Sequence, residues 1–248
     1  MTFCSEHHLP ENHECSQLYR ARKPSEIPVV APPPRRRSLA YPGSRIGYRL
    51  PNRVSWLTTL EARHLIVGMT LVLLVGISLF LRGFGVPTFS GVLLLAIILT
   101  GSFLLHELAH KFVAQNNGMR AEFRVTPFGA LITFISIFSP FFKIIAPGAV
   151  MISGYSSNRV IGRVAIVGPL TNILLGFGFV AISLFFTVSN SMSVILSTSA
   201  YINGFLATFN LLPFGIIDGK KVFTWNKGVW VLAFGVSISL FLLALFGI

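Results

Sequence analysis

The sequence predicts an α-helical polytopic membrane protein with about five transmembrane helices and a re-entrant, strand-rich segment between the second and third. Three observations carry this. The 248 residues are 53% hydrophobic and 11% charged, with a mean hydropathy of +0.72, a composition in excess of what a soluble core needs. Apolar stretches at about 64–84, 92–116, 160–187, 193–213 and 228–247 are each long enough for a helix across roughly 30 Å of hydrocarbon. Charge is also uneven: ten basic residues and five glutamates fall within the first 63 positions, whereas Glu107, Glu122 and Asp218 are the only acids beyond Arg63.

The N-terminal part is polar, basic and Pro-rich. Residues 17–63 read as an extended linker, with Pro32-Pro33-Pro34 set before Arg35-Arg36-Arg37. Basic residues close to a first span hold their side of the bilayer and attract anionic lipid, so this end is expected in the cytoplasm. Nucleic acid is not an expected partner, because the net charge of +12 is spread over both halves and no nucleic-acid-binding motif accompanies it. The polar start argues against a cleaved signal peptide, leaving the first span as an anchor. Cys4 and Cys15, in a reducing compartment, suit metal better than a disulfide. With His7 and His13 they are spaced C-x2-H-x5-H-x-C, a set of possible zinc ligands within residues 1–16. This segment resembles the end of an AN-one-type zinc finger, although only the last four of that family's eight ligands are present.

The membrane part is expected to run over residues 64–248. The stretch 125–153 contains Pro127, Pro140, Lys143 and Pro147, and its Phe, Ile, Thr and Val content favours extended chain over helix. Loop charge decides whether it crosses. If it does not, then Lys111, Arg120, Arg124, Arg159, Arg163, Lys220, Lys221 and Lys227 all lie on the N-terminal side, and the uncharged loop 187–192 lies opposite. If it does, Asp218 moves to the face opposite His106. We therefore expect five helices and a re-entrant loop, a form allowed at membrane depth where protein or water covers the backbone.

Two of the three distal acids read as catalytic. His106 and His110, four apart on a helix, project from one face and can bind one zinc ion. Glu107 lies beside them, placed to act as the general base of a metalloprotease. With six His and seven Glu in the chain, such a motif arises by chance about 0.004 times. An ionisable residue inside a span is by default a functional candidate. Asn116-Asn117-Gly118 supplies a helix C-cap about two turns beyond the site. A catalytic zinc takes three protein ligands and keeps one position open. Asp218, the sole aspartate of the chain, is the best third ligand, its alternative role being a surface pair with Lys220 or Lys221. Glu122 reads as a solvated loop residue.

Three segments together resemble the site-2 protease family of intramembrane zinc metalloproteases: His106-Glu107-Leu108-Ala109-His110, Gly168-Pro169-Leu170-Thr171-Asn172, and Asn210-Leu211-Leu212-Pro213 leading to Asp218-Gly219. The likeness covers about residues 90–225. It implies His106, His110 and Asp218 as zinc ligands, Glu107 as acid and base, and Asn172 and Asn210 as polar groups near the scissile peptide. It implies one catalytic Zn2+, with a second ion only if the N-terminal finger is functional, and transmembrane proteins as substrates, cut near the cytoplasmic side. Gly168, Gly176 and Gly178 read as helix-packing residues. Because a helical substrate hides its amides, an edge strand from 123–135 or 146–153 is expected to pair with the unwound peptide. The rival reading is a membrane zinc or metal transporter, or a non-proteolytic metal-binding membrane protein, but such a path asks for polar groups through the depth of the bilayer. A presenilin-like protease needs two aspartates, and a rhomboid-like one needs a membrane histidine outside the zinc motif.

Overall fold

The computed structural model describes residues 56–81, 88–139, 143–154 and 156–246. The candidate finger ligands Cys4, His7, His13 and Cys15 and most of the linker lie outside these. Among the described residues, five helices are long and apolar enough to cross a membrane: α1 (Thr59–Phe80), α2 (Phe89–Asn116), α4 (Asn158–Phe185), α5 (Asn190–Asn210) and α7 (Lys227–Leu245). They match the five apolar stretches of the sequence within a few residues. The exception is the start of α1, which begins five residues before His64. Thr58 caps it by accepting from the Glu61 amide, a Ser/Thr-x-x-Glu signal that an apolar-run criterion passes over.

Between α2 and α4 lie strand β1 (Arg120–Val125), helix α3 (Pro127–Phe138) and strand β2 (Gly148–Ser153). The strands pair antiparallel, in register from Arg120 opposite Ser153 to Val125 opposite Gly148. The expectation that extended chain dominates 125–153 is corrected here, since twelve of these residues form a helix. Pro127 sits in its first turn, where a missing N–H costs nothing and the fixed φ suits a helix. At about 1.5 Å per residue α3 spans roughly 18 Å, well short of a bilayer. Glu122 is likewise a strand residue rather than part of a loop, and it pairs with Arg124.

One apolar core joins α1, α2, β1 and α5 through residues such as Val72, Leu95, Leu99, Phe123 and Ile202. A second joins α4, α5, helix α6 (Asp218–Trp225) and α7 through Ile166, Ile173, Leu211 and Val222. A buried ion pair fastens α1 to α2: Lys111 Nζ lies 2.6 Å from Glu61 Oε2, and both side chains are almost wholly covered. Glu61 Oε1 also accepts from the Phe123 amide at 2.9 Å, so one carboxylate ties two helices and a strand. Lys111 further donates to the Trp56 carbonyl and lies 4.8 Å from the centre of the Trp56 ring. Glu61, at the polar edge of the first span, carried no sequence signal of this role.

Candidate metal centre

The site lies near the end of α2. That helix closes at Asn117, and Gly118 follows with φ +76°, in the left-handed conformation expected of a terminating glycine. His106, Glu107 and His110 are buried on its inner face, against α4. There is space for both rings because residue 168 is a glycine: a Cβ at that position would stand 2.3 Å from His110 Nε2 and 2.6 Å from His106 Nε2. Of the three glycines read as packing residues, Gly168 thus makes room for the imidazoles. A Cβ on Gly176 would collide with Leu240, which fits the packing role, whereas Gly178 meets nothing within 4 Å.

Asp218 arrives from the other end of the chain. α5 ends at Asn210, a turn with Gly215 at φ +68° reverses the direction, and Asp218 opens α6. Gly219 lets α6 start directly on this turn, since a Cβ there would lie 2.2 Å from the Leu211 carbonyl. The Trp230 indole N–H donates to the same Leu211 oxygen at 2.7 Å, fixing the turn against α7. Asp218 Oδ2 is then 2.9 Å from His110 Nε2 and 3.5 Å from His106 Nε2, and the two imidazole nitrogens are 3.1 Å apart. Its other oxygen accepts from Lys221 Nζ at 3.1 Å, so the surface-pair role foreseen as an alternative coexists with the inward-facing one. Burial alone would favour the neutral acid at Asp218. While the imidazoles are protonated and hold no metal, His110, His106 and Lys221 outweigh it and hold the pKa well below the ordinary carboxylate value.

These three atoms suit a small cation. Ligands about 2.0–2.1 Å from a tetrahedral zinc stand roughly 3.3 Å apart, and the three separations bracket that value. The His110 tautomer suits it too: Nδ1 lies 2.7 Å from the Val164 carbonyl, which can only accept, so Nδ1 carries the hydrogen and Nε2 offers its lone pair inward. Among the described residues this is the one group of His, Cys, Asp or Glu side chains arranged to hold a metal.

Glu107 accepts from the Val150 amide at 3.0 Å, which sets β2 beside the site. Because strand amides alternate in direction, this bond identifies the outer edge of the sheet on that side. The opposite edge is occupied: the Phe123 amide donates to Glu61 and the Val125 amide to His64 Nδ1 at 3.0 Å. Of the two asparagines expected near a substrate, Asn172 lies fully buried behind His106, with Oδ1 2.6 Å from Nδ1. Asn210 is half-buried and donates to the Leu206 carbonyl.

The chain is 40% identical over 154 residues to MJ0611 of Methanocaldococcus jannaschii, provisionally named a zinc metalloprotease, an alignment that takes in 60% of this chain and 80% of that one. It belongs to that family of zinc metalloproteases. MJ0392, named a zinc metalloprotease of the same organism, is 27% identical over 160 residues, covering 64% of this chain and 40% of its own. YwhC of Bacillus subtilis, also provisionally named a zinc metalloprotease, is 30% identical over 149 residues, or 52% of this chain and 66% of its own. The chain therefore spans less than half the length of MJ0392. No family profile matches it, and no solved structure gives a significant match. Membership of a zinc metalloprotease family is consistent with the site-2 protease resemblance of its three motifs.

Proposed function

We propose that this metalloprotease is an intramembrane endopeptidase of the site-2 type, cutting transmembrane proteins near the cytoplasmic side. The convergence of His106, His110 and Asp218 beside a buried glutamate, at one end of helices long enough to span a bilayer, is the observation that carries this reading. His106 Nε2, His110 Nε2 and Asp218 Oδ2 would hold zinc. When bound there, zinc supplies Lewis acidity, lowering the pKa of water toward about 7 and polarising the scissile carbonyl. Glu107 takes a proton from the attacking water and returns it to the leaving nitrogen. It is held toward the reacting atoms by the Val150 amide.

The outer edge of β2 receives the unwound substrate as an added strand through Gly148 and Ile152, on either side of the Val150 amide that Glu107 takes, and so positions a peptide beside Glu107. The edge of β1 cannot do so at Phe123 and Val125, where Glu61 and His64 already take the amide hydrogens. This favours 146–153 over 123–135 as the docking segment. The basic ends near α2, α4 and α6 support a cytoplasmic site and N-terminus, with 64–248 as the membrane domain and 125–153 as a loop that enters and leaves by one face. Cys4, His7, His13 and Cys15 rest on spacing alone; a zinc ion there would raise the metal content to two per chain, and Cys15→Ser would return it to one.

Two assays on the purified chain in vesicles separate protease from transporter. Cleavage of a model transmembrane substrate should stop with a zinc chelator and return with added zinc, with no zinc flux across the vesicle wall. Zinc uptake without cleavage would favour the transporter.

A further inference from the structure

We infer that Asn203, on α5, is a positioning residue for the candidate zinc ligand His106 and acts through Asn172. The Ser199 carbonyl can only accept, so the Asn203 side-chain nitrogen, 2.9 Å away, must be the atom that faces it. Asn203 Oδ1 then faces Asn172 and accepts from its Nδ2 at 3.1 Å. That fixes Asn172 in turn, leaving its Oδ1 toward His106 Nδ1 at 2.6 Å. An acceptor on Nδ1 requires the hydrogen there, so in the neutral ring Nε2 keeps its lone pair and points at Asp218.

No member of this chain can turn round alone. Flipping Asn203 sets oxygen against the Ser199 carbonyl and nitrogen against the Asn172 nitrogen. Flipping Asn172 offers a donor to His106 Nδ1, which asks for the tautomer whose Nε2 carries hydrogen and cannot bind a metal. Asn172, Asn203 and Ser199 are all fully buried, so water does not compete for these bonds. A Cβ on Gly176, one turn beyond Asn172, would stand in van der Waals contact with Asn203 Cβ at 3.4 Å, so α4 and α5 pack side by side at this level. Ligand-bearing histidines are commonly oriented through their second nitrogen. Here that orientation is set two side chains away, by a residue outside the three motifs.

The inference rests on the zinc site proposed above, and the test separates the two. Zinc affinity of the purified full-length chain is measured by competition with a chromophoric chelator, alongside its thermal unfolding in detergent. Asn203→Leu removes the acceptor facing Asn172 and should weaken zinc binding about tenfold. Asn203→Asp keeps that acceptor and should hold affinity within about threefold of wild type, even where its buried carboxylate lowers thermal stability more than Leu does. If Asn203→Leu does not fold, Asn203→Ala takes its place under the same expectation. Wild-type affinity in the Leu or Ala variant, or affinity that simply follows thermal stability across the set, overturns the relay and leaves the zinc site standing. A wild-type chain that binds no zinc overturns both.

Discussion

At the scale of single residues, the metal centre depends on what is small as much as on what ligates. Gly168 leaves a gap the width of a methyl group in front of two imidazoles. Gly168→Ala should push His106 and His110 out of line and weaken zinc binding by at least about tenfold, with helix content unchanged by circular dichroism. Wild-type affinity would mean the rings lie elsewhere. The Glu61–Lys111 pair makes a different kind of demand, because a charge left alone in the interior is costly. Lys111→Met should cost about 3–5 kcal/mol, with much of it recovered in the double variant Glu61→Gln/Lys111→Met. Thermal unfolding of the three proteins in detergent checks this; equal losses in the single and double variants would contradict a coupled pair. The sequence made His106, Glu107, His110 and Asp218 readable as a set, because acids and histidines are scarce in an apolar chain. It left Glu61 unread, because at the boundary of a span a glutamate looks solvated, and it left Asn203 unread, because nothing local ties α5 to a histidine on α2.

At the scale of elements, the small sheet has two unlike edges. Glu61 and His64 take the Phe123 and Val125 amides of β1, while β2 faces Glu107 with its outer side. In the register with β1, Ile152 lies opposite Ala121 and directs its amide outward, as Val150 does. Ile152→Pro removes that donor from the outer edge and should reduce cleavage of a transmembrane substrate at least tenfold, an order-of-magnitude expectation for loss of strand docking. Zinc content should not change. Full cleavage by this variant would exclude strand addition at β2. The pairing of the two strands lies beyond local pattern, since 120–125 and 148–153 meet across a connection whose course depends on packing against α1. Helix α3 was hidden for a simpler reason: Pro127 marks a helix start as readily as a helix end, and β-branched and aromatic residues do not distinguish a short buried helix from a strand.

At the scale of the whole molecule, the ends of helices decide where chemistry can occur. The end of α2, the start of α4 near Val164 and the start of α6 meet at one end of the bundle, so a loop that crossed between α2 and α4 would have separated His110 from Asp218. The topology therefore predicts that single cysteines at Asn117 and Lys220 are labelled from one side of a sealed membrane and one at Ser189 from the other. Labelling of Asn117 and Lys220 from opposite sides would break the arrangement. The most direct test of the central claim is cleavage of a model transmembrane substrate by the purified chain, beside Glu107→Gln, with zinc content measured in both. Only the wild type should cleave, and the two proteins should hold the same amount of zinc. Equal cleavage by Glu107→Gln, or a wild-type protein that cleaves without bound zinc, would contradict that claim.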